Sequence, residues 1–136
     1  MRTSICSAFK NVVPSKLKAV LKNVSKYTDN TGDGSNTASY VTRTKDTIFL
    51  LAEYEVFGKI TVANTAEQKH QAQYAYYSAG NSKVRYKHNN VSSSAKWYLR
   101  SPRAAFNNEE CSVSASGLVS AEFKNYSLGF APAFCV

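Results

Sequence analysis

No run of this chain approaches the roughly 18 apolar residues that a membrane-spanning helix needs. The first ten residues have neither the apolar stretch nor the small-residue cleavage site of a secretory signal. Histidine is scarce, and His70 and His88 stand apart from any ligand or triad context, so each reads as a solvated side chain. Cys6, Cys111 and Cys135 are an odd number without metal-like spacing. They read as small buried hydrophobes, and a Cys111–Cys135 bridge stays open only if the flanking strands are neighbours. A Gly-rich phosphate loop, a nucleophile beside its base and a metal-ligand set are all missing from the pattern. No catalytic residue, metal or cofactor is therefore expected, and an enzyme is the least supported class.

What is present is a globular chain. Hydrophobic residues make up 43%, with nine Tyr and seven Phe, which excludes disorder. A length of 136 residues suits one domain, residues 1–136. The net charge of +8 is blocky: residues 1–26 carry six bases and no acid, and residues 58–103 carry eight bases and one acid. Acids outnumber bases in the two remaining stretches, 27–57 and 104–136. Such a chain attracts polyanions in a salt-dependent way.

Apolar spacing predicts a short helix over 2–11 and a second one opened by Pro14, with Leu17, Val20 and Leu21 on one face. Residues 23–28 fit a strand, and the Asp, Asn and Gly of 29–39 fit a loop. That loop lacks the acidic residue that closes a calcium-binding EF-hand. Ile48 to Leu51 reads as a central strand running into a short helix that Gly58 stops. Glu53 and Glu55 on that helix point apart, which disfavours acid–base chemistry and suits a solvated first turn. Residues 64–79, rich in Ala and good helix formers, are the longest helix candidate, with Tyr74, Tyr76 and Tyr77 as packing residues at its end. Lys83 to Lys87 alternates like an exposed strand. Trp97 to Pro102 reads as a strand closed by proline, 111–119 as a hairpin about Ser116-Gly117, and 129–136 as a terminal strand buried on at least one face. Helices and strands together predict an α+β fold.

Several stretches in order carry a resemblance: Ile48-Phe49-Leu50-Leu51, Glu53 to Gly58, Tyr74-Ala75-Tyr76-Tyr77, Gly80 to Val84, Trp97 to Pro102 and Gly129 to Val136. The chain resembles a bacterial and prophage domain family of unknown function. At one further remove its Trp, Arg-Ser and Gly-Phe frame is similar to the C-type-lectin-like fold of formylglycine-generating enzymes and of retroelement variable proteins. The resemblance implies a mixed sheet with two to four flanking helices and long irregular loops, in which Trp97 and the terminal strand are core. It carries no activity, because no motif places Cys111 and Cys135 as the copper-binding pair of the oxidase branch. Family members have a further stretch before the segment matching Met1-Arg2-Thr3. Strand 129–136 is therefore expected to lack its partner, through an N-terminal truncation or because a second copy or another chain supplies the edge.

The leading functional expectation is a non-catalytic binding or display module, adhesin-like and associated with a phage or a cell surface, with a protein or glycan ligand. Loops between the matched core segments supply the candidate ligand-binding residues: Arg103, Phe106, Asn107, Asn108, Glu109 and Glu110, then Phe123, Lys124, Asn125 and Tyr126. The alternative is a nucleic-acid- or polyanion-binding domain that uses Lys16, Lys18, Lys22 and Lys26 with Lys83, Arg85, Tyr86 and Lys87.

Overall fold

The computed structural model describes residues 2–136, with side chains from Ser4 onward; Met1, on which the question of the native start turns, lies outside the described residues. The order is α1 (Arg2–Val12), α2 (Ser15–Lys18), β1 (Val24–Asp29), β2 (Val41–Asp46), β3 (Ile48–Leu50), α3 (Glu53–Phe57), α4 (Ala75–Ser78), β4 (Arg85–Lys87), β5 (Asn90–Ala95), β6 (Trp97–Pro102), β7 (Glu109–Val113), β8 (Val119–Phe123), β9 (Gly129–Phe130) and β10 (Pro132–Phe134). Single 3₁₀ segments occupy Ala38–Tyr40 and Thr65–His70. The fold is α+β.

β6 is the organising strand. All six of its residues are buried, and it lies inside a mixed four-stranded sheet ordered β8-β7-β6-β9. β7 and β8 form the predicted hairpin, with Gly117 in the left-handed region at φ +85° where the turn needs it. β9 runs parallel to β6, with Trp97 opposite Gly129 and Tyr98 opposite Phe130. The tryptophan strand and the carboxyl-terminal segment are thus neighbours. Past Ala131 the chain leaves this sheet, and β10 pairs antiparallel with β3, Ala133 opposite Phe49. The Cys135 carbonyl then accepts the Lys22 N–H at 2.9 Å.

Segment 129–136 therefore has partners within its own chain, on β6 and on β3, and is not left unpaired. It is half-buried rather than core, and Val136 is exposed. β3 is fully buried but lies in a two-stranded sheet with β10, so the central strand is β6 instead. Phe49, Val56, Tyr77, Trp97, Leu99 and Val113 belong to one apolar cluster. Cys111 is buried in that cluster, Cys6 and Cys135 are half-buried, and Cys111 and Cys135 are not bridged to each other.

Two local expectations fail for the same reason, a buried carboxylate. The helix expected over 64–79 is split: a 3₁₀ segment ends at His70 and α4 starts only at Ala75. Glu67 is turned fully inward, where it accepts the Asp29 N–H at 2.9 Å, the Ser101 hydroxyl at 2.7 Å and the Gln71 amide at 3.1 Å. The extended link that follows lets the Tyr74 N–H donate to the Glu55 carbonyl at 3.0 Å and Gln73 to the Val56 carbonyl at 3.0 Å. Tertiary hydrogen bonds have overridden local propensity.

Glu53 and Glu55 are likewise buried, not solvated. Glu53 collects the N–H groups of Thr61, Val62 and Ala63 at 2.6–3.2 Å and pins the loop after Gly58 beneath α3. Glu55 reaches back to accept the Ala52 N–H at 2.9 Å, capping the N-terminus of α3 as half of a capping box. It also pairs with Lys26 at 3.0 Å and with Arg100. α2 is a single turn, with Pro14 just before it and Val20 exposed beyond it.

Candidate functional site

The open end of the β7–β8 hairpin and the turn after β8 bring the predicted loop residues together. Asn107, Asn108, Phe123, Lys124, Asn125 and Tyr126 line one surface cavity of about 650 Å³. The backbone makes this pairing: the Lys124 N–H donates to the Asn108 carbonyl at 2.9 Å, and the Lys124 ammonium donates to the Asn107 carbonyl at 2.7 Å. Tyr98 supports the far wall from below, its hydroxyl donating to the carbonyls of Phe123 and Tyr126.

The other four predicted residues frame the cavity. Glu109 and Glu110 are the first residues of β7 rather than loop positions, and their carboxylates are engaged, Glu109 by Arg103 and Glu110 by Lys124 at 3.8 Å. The Arg103 guanidinium lies 4.3 Å from the Phe106 ring centroid. Burial pushes the Glu110 carboxyl up to about 7, and the facing Lys124 offsets only part of that shift. Glu110 also stands opposite Glu122 in the hairpin register, an unfavourable like-charge pair when both ionise.

Three aromatic rings stay open here, with Phe106 48%, Phe123 40% and Tyr126 50% exposed. Phe123 and Tyr126 meet edge to face at 5.4 Å. Uncovered rings beside amide side chains and one cation are the composition of a recognition surface.

A supporting element escaped the sequence reading. The 29–39 loop packs against this face, and a Cβ on Gly34, at φ +82°, would come within 2.8 Å of the Asn107 nitrogen. The glycine is required for close backbone approach as well as for its turn. Asp29 fixes the base of the loop by accepting from Thr31 and Gly32 on one oxygen and from Asn64 on the other. Its oxygens are thus engaged by the loop and by Asn64. Among the described residues no group of three His, Cys, Asp or Glu side chains is arranged to hold a metal ion.

The basic residues of the alternative reading are dispersed. Lys26 is half-buried between Glu55 and the Tyr74 hydroxyl, and its ammonium sits 3.9 Å from the Phe49 ring centroid. Arg85 turns inward to the Tyr77 hydroxyl at 2.7 Å, and Lys83 lies over Phe57. Lys16, Lys18 and Lys22 are exposed near α2. Tyr86 and Lys87 remain exposed on β4, at a groove of about 630 Å³ that His88, Lys96 and Phe130 also line.

The buried carboxylates and the thiol of the core are in contact with one another and with basic residues. The Cys111 thiol donates to Glu53 at 3.8 Å, and burial with the neighbouring carboxylates pushes it well above its ordinary value. The carboxyl of Glu55 is penalised by burial, yet Arg100 and Lys26 more than offset this and hold it below the usual range. Burial dominates at Glu67 and raises its carboxyl. No described helix is long and apolar enough to cross a membrane.

No curated protein and no solved structure matches the chain. A family model does: the one described as a domain of unknown function (DUF6273) matches residues 4–136, and the chain belongs to that family.

Proposed function

We propose that this is a non-catalytic ligand-binding module of the C-type-lectin-like kind, displaying its loop face to a protein or glycan partner in an adhesin-like role at a virion or cell surface. The observation that carries the reading is the convergence of six residues from two chain segments, five in loops and Phe123 at the end of β8, on one cavity of about 650 Å³, with Phe123 and Tyr126 uncovered at its edge. A rigid hydrogen-bonded base with open rings and amides above it is how a scaffold presents variable contacts without changing its core. The similarity of the tryptophan and carboxyl-terminal frame to lectin-like domains supports the same reading, as does the parallel β6–β9 pair that holds the two segments together. The engagement of the buried carboxylates by donors within the fold supports the non-catalytic part of the reading.

The test is a glycan and protein array probed with the natural chain and with Asn107→Ala, Asn108→Ala and Tyr126→Ala. A hit whose retention falls about tenfold or more in at least one of them supports the reading. A hit indifferent to all three removes the site.

The groove beside β4 favours a second reading, polyanion binding through Lys87, His88 and Lys96 with Tyr86 as a stacking ring. DNA binding that survives physiological salt and is lost in Lys87→Ala would favour it; binding that vanishes as salt rises is non-specific attraction.

A further inference from the structure

β8 is an outermost strand of the four-stranded sheet and pairs with β7 on one side only. The hairpin's hydrogen bonds show which way its backbone points. At one end the Ser114 N–H donates to the Leu118 carbonyl at 2.8 Å, and at the other the Lys124 N–H donates to the Asn108 carbonyl at 2.9 Å. Hydrogen-bonded pairs recur at every second residue of an antiparallel ladder, so Ser120 and Glu122 turn their backbone groups to β7. Those of Val119, Ala121 and Phe123 point to the open edge. The Phe123 carbonyl accepts from the Tyr98 hydroxyl and the Tyr126 N–H. The carbonyls of Val119 and Ala121 and the three N–H groups have no hydrogen-bond partner among the described residues.

Open edges are ordinarily blunted by proline, by lysine or by a bulge. β8 has none of these: Val119-Ser120-Ala121-Glu122-Phe123 stays in register with β7 through all five residues. Its ends are apolar, with Leu118 67% exposed and the Phe123 ring open. We infer that this edge is a self-association surface on which a second copy of the chain lays its own β8, antiparallel about a two-fold axis at Ala121. The strand is complementary to itself in that register. Ala121 meets the facing Ala121 and exchanges two hydrogen bonds with it, and each Phe123 N–H donates to the opposite Val119 carbonyl. Val119 lies across from Phe123, a favourable pairing of a β-branched side chain with a ring. Glu122, the one charge of the strand, lies across from Ser120. An axis at Glu122 would set the two carboxylates against each other, and an axis at Ser120 would face Phe123 with Gly117. The chain's charge of +8 opposes association only weakly here, because residues 104–136 carry three acids against one base. Five paired residues make a small interface, so the dissociation constant should be on the order of 100 µM.

The pairing uses the backbone of β8 and stands whether or not the loop face binds a ligand. The experiment is sedimentation equilibrium of the chain from about 10 µM to about 1 mM at physiological salt, with amide hydrogen exchange at both extremes. A monomer–dimer equilibrium is expected. Exchange at Ala121 and Phe123 should slow about fivefold at the higher concentration, with Ser120 and Glu122 unchanged. Ser120→Glu sets a carboxylate opposite Glu122 twice in the interface and should weaken the dimer about tenfold, whereas Ser120→Lys should tighten it about threefold. Ala121→Pro removes a donor that only the edge uses and should leave a folded monomer. A chain monomeric throughout, with exchange at Ala121 and Phe123 independent of concentration, overturns the inference. So does a dimer that responds alike to Ser120→Glu and Ser120→Lys, which places the contact elsewhere.

Discussion

The web around β6 and the face at the end of the β7–β8 hairpin use polar residues in opposite ways. Inside, Glu53, Glu55, Glu67 and Arg100 are buried, and each carboxylate accepts at least three hydrogen bonds. These charges determine where loops and short helices lie, since burying them unpaired would be prohibitive. Outside, the loop face leaves Phe106, Phe123 and Tyr126 uncovered. Polar side chains hold the shape of the interior, whereas rings are left open on the loop face.

Breaking one partner of the inner web should give the largest effect. Glu55→Ala leaves Arg100 buried without its counter-ion, and urea unfolding should show a loss of about 3–5 kcal/mol. The same carboxyl, held below its ordinary value, binds fewer protons folded than unfolded. Its stabilisation is therefore complete above about pH 4.5 and is lost as pH falls through the lower folded value. A Glu55→Gln variant should lack that acid-dependent loss.

Glu110 sharpens the contrast at the boundary between the regions, because its sign is reversed. Its folded value of about 7 means that the folded state takes up the proton first. Stability should then fall as pH rises from about 4.5 to about 7 and level off above, by an amount on the order of 3 kcal/mol. Glu110→Gln should abolish that slope and unfold at a higher temperature than the natural chain at pH 8.

Gly34→Ala tests the seam between the 29–39 loop and the loop face. A Cβ there meets the Asn107 backbone in a left-handed conformation, so a loss of about 1–2 kcal/mol and a displaced Asn107 amide resonance are expected. The smallest stability effect belongs to the face itself. Phe106→Ala should lower stability by no more than about 1 kcal/mol, the worth of its stacking with Arg103, and thermal unfolding will measure it. A loss as large as that of Glu55→Ala would erase the distinction between the regions.

Much of the architecture is legible in the sequence where the signal is local. The hairpin about Ser116-Gly117, the stop at Gly58 and the strand closed by Pro102 all follow from backbone preferences of glycine and proline. The neighbourhood of Trp97 and the carboxyl-terminal segment follows from the resemblance rather than from any periodicity. The inward turn of Glu53, Glu55 and Glu67 is not legible, because each is decided by donors far along the chain, such as Ser101 and Arg100. That also explains why the helix over 64–79 breaks: its residues favour a helix, but Glu67 and Tyr74 have better partners elsewhere. The loop residues could be named from their place between core segments, whereas the acids among them could not be seen to belong to β7. The close approach at Gly34 depends wholly on tertiary packing.

The most direct test of the loop face as a binding surface is amide chemical-shift mapping with the tightest array hit, whether protein or glycan. The account predicts shifts concentrated at residues 103–110 and 123–126, with the amides of β6 little changed. Shifts concentrated at residues 85–89 and 94–97 instead, with the loop face silent, would contradict it.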